Sequence, residues 1–193
     1  VFRMMFLAAA ALTALFATQY ESLSKRGEFY FLMLISTLGM SLMASSADLI
    51  MFYLAIETTS IPLYVLAGFL LRDKRSAEAG IKYLLFGAMA SAVMLYGLSL
   101  LYGFTGTTQL YNLAASLVTG QVPQMLVYAI IALVLVGFGF KISAVPFHFW
   151  APDVYEGGPT PVAGFLSTAS KAAGFAVLLR VLQVAFPDQT AFW

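Results

Sequence analysis

Long apolar runs, broken by short polar segments, set the pattern of this chain. A helix crosses a hydrocarbon core of about 30 Å with about 20 apolar residues. Six runs qualify as spans: Val1–Gln19, Phe29–Ser45, Leu49–Leu71, Ile81–Phe104, Pro123–Ala151 and Pro161–Phe186. The polar run from Glu21 to Glu28 ends the first, and the third contains Glu57 and Pro62. The pattern therefore predicts an all-α membrane protein of about six transmembrane helices.

The fifth run is too long. Its roughly 29 residues would make a straight helix of about 44 Å, which overshoots the bilayer. Pro146 lacks an amide donor, and Val145 before it is pushed out of helical geometry. A broken helix is predicted near Lys141–Pro146. Broken helices in membranes usually line a polar cavity, because freed backbone groups need partners. Between the fourth and fifth spans, Leu110, Leu113, Leu117 and Val118 recur at helical spacing. They predict a short interfacial helix within residues 105–122.

Lys and Arg near span ends set orientation. Lys25 and Arg26 follow the first span; Arg72, Lys74 and Arg75 follow the third, with Lys82 just beyond. The opposite loops, 46–48 and 105–122, carry none. The basic side is read as cytoplasmic or its organellar equivalent. The loop 150–160 falls on that side too, with Asp153 and Glu156, whereas Arg3 and Arg180 belong toward the other side.

Composition sharpens this picture. Hydrophobic residues make up 61% of the 193 residues and charged residues 10%, against roughly 25% charged in a soluble domain. The mean hydropathy is +0.89. These values exclude a water-soluble enzyme, a disordered chain and a nucleic-acid binder, and the net charge of +1 offers no field for phosphate backbones. With no cysteine there is no disulfide, haem thioether, zinc thiolate or cysteine-ligated iron–sulfur cluster. One histidine, His148, excludes a multi-histidine metal site within the chain. The chain opens inside an apolar run with no small-residue cleavage site, so it reads as an internal piece of a longer protein rather than as a signal peptide.

Three ionisable residues lie inside the apolar runs. Glu57 is about 12 Å into the third, Lys171 about 15 Å into the sixth, and Lys141 precedes the break in the fifth. A charge at the bilayer centre costs at least about 2.5–3.5 kcal/mol. A structural ion pair would leave one of the two lysines unpaired. A proton relay uses all three, since desolvation and a nearby opposite charge act oppositely on a lysine and a moving partner can tip the balance. His148, about two turns beyond Lys141, reads first as a hydrogen-bonded interfacial histidine and second as a member of the proton path. Gly137-Phe-Gly-Phe-Lys141 fails the phosphate-loop spacing and reads as close helix packing. Gly157-Gly-Pro-Thr-Pro161 reads as a rigid turn with Thr160 as a helix cap.

One long motif carries a resemblance. Phe140-Lys-Ile-Ser-Ala-Val-Pro-Phe-His-Phe-Trp-Ala-Pro-Asp-Val-Tyr-Glu-Gly-Gly-Pro-Thr-Pro-Val162, followed by Phe165-Leu-Ser-Thr-Ala-Ser-Lys-Ala-Ala-Gly174, resembles the antiporter-like proton-translocating membrane subunits of respiratory complex I. The Val-Tyr-Glu form is most similar to the N-type (subunit 2-type) branch of that family. Phe52-Tyr-Leu-Ala-Ile-Glu-Thr58 resembles its key-glutamate helix. The resemblance implies two inverted five-helix repeats in a longer protein. Residues 29–186 would be the first repeat, 1–28 a preceding helix with its loop, and 187–193 the start of the following segment. It implies that Glu57 pairs with Lys141 on the broken helix and that Lys171 passes protons toward the centre. It implies no flavin, iron–sulfur cluster or nicotinamide in this subunit, although the parent complex uses NADH, FMN, iron–sulfur clusters and quinone. The implied partners are the lipid bilayer and other membrane-arm subunits, including a neighbouring antiporter-like one. The implied location is a bacterial plasma membrane or a mitochondrial inner membrane. Two rivals remain: a subunit of a multi-subunit sodium/proton antiporter, and a non-conducting scaffold subunit.

Overall fold

The computed structural model describes residues 1–119 and 122–189. Residues 190–193, the end of the expected following segment, and residues 120–121 of the loop before the fifth span lie outside it. The described chain is helical from end to end. In order it runs α1 Phe2–Ala17, α2 Glu21–Ser24, α3 Gly27–Met43, α4 Leu49–Ala67, α5 Lys74–Thr105, α6 Leu110–Thr119, α7 Gln124–Ile142, α8 Trp150–Gly157, α9 Thr160–Phe165, a π-turn Leu166–Ser170 and α10 Lys171–Ala185.

The apolar runs fold as expected, with different ends. Among the described residues, four helices are long and apolar enough to cross a membrane: α4, α5, α7, and the continuous stretch Thr160–Ala185. The first two runs give shorter apolar helices of 16 and 17 residues, about 24 and 26 Å long. The fourth starts earlier than expected, at Lys74. Asp73 caps it by accepting from the Arg75 amide at 3.0 Å, and its charged first turns extend the helix to 32 residues. Thr160 is not a cap but the first helical residue, because Pro159 occupies the capping position. The short helix α6 is present, with Leu110 and Leu113 buried.

The predicted break falls after Ile142. Ser143 adopts a left-handed conformation at φ 58°. The Ala144 amide reaches back to the Gly139 carbonyl at 2.8 Å and the Ser143 amide to Phe140 at 3.1 Å, a Schellman closure. Pro146 follows in the turn to α8, with a cis bond from Val145.

Contacts at both ends agree with the sidedness read from the charges. At the basic end, Lys82 of α5 pairs with Asp153 of α8 at 2.6 Å, Arg75 lies 3.5 Å from Glu156, and Arg26 stacks over the Phe69 ring at 5.9 Å. At the other end Asp48 bridges to Gln109, and Arg180 donates to the Ser46 carbonyl at 3.1 Å. Asp48 caps α4 by accepting from the Ile50 and Met51 amides, and the Thr108 hydroxyl donates to its other oxygen. That hydroxyl holds the Asp48 carboxyl below the usual carboxylate range.

Small residues set the closest approaches, as in other membrane bundles. A β-carbon on Gly39 of α3 would lie 2.6 Å from the Thr59 backbone nitrogen on α4. Beside Pro62, Ser36 of α3 donates to the Thr59 carbonyl at 3.0 Å, in the turn that the proline interrupts. Gly137 meets Met94 and Gly139 meets Phe147, which bears out close packing at the Gly137–Lys141 run. Gly39→Val is expected to destabilise the bundle by about 1–3 kcal/mol through overpacking. Thermal melting of the purified protein checks this; a melting temperature equal to the parent's would show that α3 and α4 can separate freely.

Candidate functional site

The third, fifth and sixth spans bring the three intramembrane ionisable residues into neighbouring layers. Glu57 sits mid-way along α4 and is half-buried. Lys141 occupies the last turn of α7, where the helix dipole favours a cation. It is 3% exposed, so the chain itself must satisfy the amine. Lys171 opens α10 directly after the π-turn, a local widening often found at functional positions.

Each of the three head groups meets a hydroxyl-bearing side chain. Lys141 Nζ donates to Ser60 Oγ at 2.9 Å. Ser60 is itself buried and donates to the Ile56 carbonyl at 2.8 Å, which leaves its lone pairs to the amine. The Glu57 carboxylate accepts from the Ser91 hydroxyl of α5, which also lies 3.1 Å from the Tyr53 hydroxyl. The Lys171 amine sits over the Tyr155 ring, 5.4 Å from its centre.

The expected Glu57–Lys141 pair is therefore not a direct contact. Among the described residues, no ion pair within 4.0 Å includes either group. They share the α4 face instead: Ser60 is one turn beyond Glu57, and the carboxylate acts on the amine electrostatically. Lys171 stands one element away. The Lys141 stem lies against Gly174, where a β-carbon would come within 3.2 Å of Lys141 Cγ, one turn beyond Lys171.

An aromatic cluster stands beside the two amines. Tyr83 stacks on Trp150 at 4.3 Å, Phe140 lies 5.1 Å from Trp150, and Tyr155 meets Trp150 edge-on at 6.1 Å. Trp150 Nε1 also donates to the Phe140 carbonyl at 3.2 Å, so α8 satisfies a backbone group at the broken end of α7. Two backbone carbonyls at the break are satisfied this way: Gly139 by the Schellman closure, and Phe140 by that closure and Trp150. The cavity of about 320 Å³ beside the break is lined by apolar side chains, among them Phe86, Val136, Phe140 and Phe147.

His148 lies in the turn between α7 and α8 and stacks on Phe149 at 4.8 Å. Its Nδ1 is buried without a hydrogen-bond partner among the described residues. Ser143 Oγ and the Tyr155 hydroxyl are buried and unpartnered in the same sense. Sequence reasoning missed Ser60, Ser91, Tyr53 and Tyr155. Ser60 and Tyr53 carried a signal, since they lie three and four residues from Glu57 on one helix face. Ser91 carried none, because only the packing of α5 on α4 brings it there.

The family model for the transmembrane region of NADH:quinone oxidoreductases and Mrp antiporters matches residues 46–193. The chain belongs to this family. NADH-quinone oxidoreductase subunit N of Moorella thermoacetica is 52% identical over 197 residues, covering 100% of this chain and 40% of that protein. In respiratory complex I from Thermus thermophilus, one chain superposes with a TM-score of 0.78 at 43% identity, covering 97% of this chain and 41% of that one. A chain of the Mrp complex from Dietzia sp. has the same fold, with a TM-score of 0.82 at 24% identity over 97% of this chain and 35% of its own. The chain thus spans about 40% of the length of the curated relative it matches.

A buried ammonium stripped of its hydroxyl acceptor is costly, so Ser60→Ala is expected to destabilise by about 1–3 kcal/mol or more. Adding Lys141→Met is expected to remove most of that loss. Melting of the two variants checks it; equal losses in both would show that Ser60 acts by packing alone.

Proposed function

We propose that this chain forms the first proton-conducting half of a membrane-arm subunit of complex I, a proton-translocating NADH:quinone oxidoreductase. The observation that carries this reading is Lys141: a 3%-exposed residue whose amine, among the described residues, has one hydrogen-bond acceptor, a serine hydroxyl, with the Glu57 carboxylate in electrostatic reach but out of contact. An amine fixed in a permanent ion pair holds its proton. An amine on a neutral hydroxyl, with its counter-charge one turn away, can release the proton when that counter-charge moves.

In this reading Glu57 modulates the charge of Lys141, and Lys141 exchanges protons with Lys171 through water. The buried polar atoms of Ser143, Tyr155 and His148 that lack partners among the described residues are suited to bind such water. His148 assists entry from the basic side, which faces the cytoplasm of a bacterial cell. Redox chemistry with NADH, FMN, iron–sulfur clusters and quinone belongs to other subunits of the parent complex. Coupling reaches Glu57 from a neighbouring membrane-arm subunit. The second repeat, outside this chain, supplies the other half of the path. The 52% identity to a subunit N, together with the Val-Tyr-Glu form at 154–156, supports this reading over a sodium/proton antiporter.

Lys141→Ala in the whole complex is expected to reduce the protons pumped per electron passed to quinone. Simultaneous recording of NADH oxidation and proton uptake in sealed vesicles measures the ratio. An unchanged ratio in correctly assembled complex would rule out the relay.

A further inference from the structure

The Glu57 carboxylate has two sets of neighbours. On one side are the Ser91 hydroxyl, across the α4–α5 contact, and the Tyr53 hydroxyl, one turn back on α4 itself. On the other, one turn along α4, is Ser60 with the Lys141 amine. The carboxylate is engaged with the first set. The amine is held by Ser60, whose own proton is committed to the Ile56 carbonyl. Acid and amine are thus each held on a separate hydroxyl.

We propose that Ser91 is a positioning residue: its hydroxyl latches the Glu57 carboxylate onto α5 and so sets when Glu57 engages Lys141. The proposal rests on the relay reading above and adds its regulation. Ser91 has one hydroxyl hydrogen to donate, and the Glu57 carboxylate accepts that hydrogen bond. The Tyr53 hydroxyl, at 3.1 Å, can donate to the Ser91 oxygen and fix the direction of that proton. When the latch holds, the carboxylate acts on Lys141 only through space. When it opens, rotation of the flexible glutamate brings the carboxylate toward the amine without moving either helix. A hydrogen bond that merely joined α4 to α5 would leave Lys141 out of account. A latch makes Ser91 matter only while residue 57 carries a carboxylate.

That difference sets the experiment. Ser91→Ala, Ser91→Gly and Ser91→Thr are made in the intact complex, alone and with Glu57→Gln. NADH-driven proton translocation is measured per assembled complex. Ser91→Ala is expected to slow translocation about 2- to 10-fold, the span of one hydrogen bond's net worth. Ser91→Thr, which keeps the hydroxyl, restores most of the rate. In the Glu57→Gln background Ser91→Ala adds no further slowing. Ser91→Gly makes the same deletion with less bulk and is read in the same way should the alanine complex fail to assemble. The latch is overturned if Ser91→Ala runs at the parent rate, if threonine does not rescue, or if the loss is the same size with Glu57→Gln. Lys141→Ala, run alongside, separates the two ideas. If it slows translocation while Ser91→Ala does not, only the latch falls. If it has no effect, the relay itself falls.

Discussion

Hydrocarbon solvates charge poorly, and the rest of this structure follows from that constraint. Each of Glu57, Lys141 and Lys171 costs at least about 2.5–3.5 kcal/mol to place at the depth of a span. Among the described residues, none of these costs is cancelled by a direct ion pair. The bundle brings hydroxyls and an aromatic face to each head group: Ser91 to Glu57, Ser60 to Lys141, Tyr155 to Lys171. A neutral partner lowers the cost of a charge without fixing its protonation state, which suits groups that must change charge.

The scaffold serves that arrangement. Gly39 and its neighbours let α3 and α4 approach closely, which holds the Glu57 helix in register. The break after Ile142 ends α7 at the depth of Lys141, and α8 folds back so that Trp150 takes a carbonyl of the broken end. The exposed pairs of Lys82 with Asp153 and Arg75 with Glu156 tie α8 to α5. Such surface pairs contribute little each; both join α5 to α8, the helix that carries Tyr155.

Much of this was legible in the sequence. Span number and the break were, because a 29-residue apolar run ending in Val-Pro has few helical solutions. The grouping of loops at two ends was also legible: the basic loops meet at one end of the bundle and the uncharged loop 105–122 at the other. The three charged residues announced themselves because apolar runs make any charge conspicuous. What stayed hidden depends on packing across the chain. Ser91 lies 34 residues from Glu57 and is an unremarkable serine in a long helix. The π-turn before Lys171 leaves no compositional mark in Leu-Ser-Thr-Ala-Ser. The Trp150 indole as partner of the Phe140 carbonyl was hidden too, since only the fold-back of α8 brings it there.

The central claim is that these groups sit dry enough to be costly yet connected enough to exchange protons. Density for ordered water in the complete complex tests it most directly, at a resolution that shows individual molecules. The account predicts water reaching Ser143, Tyr155 and His148 and joining the Lys141 amine to Lys171. Continuous aromatic packing between the two amines, with no water on either, would contradict it.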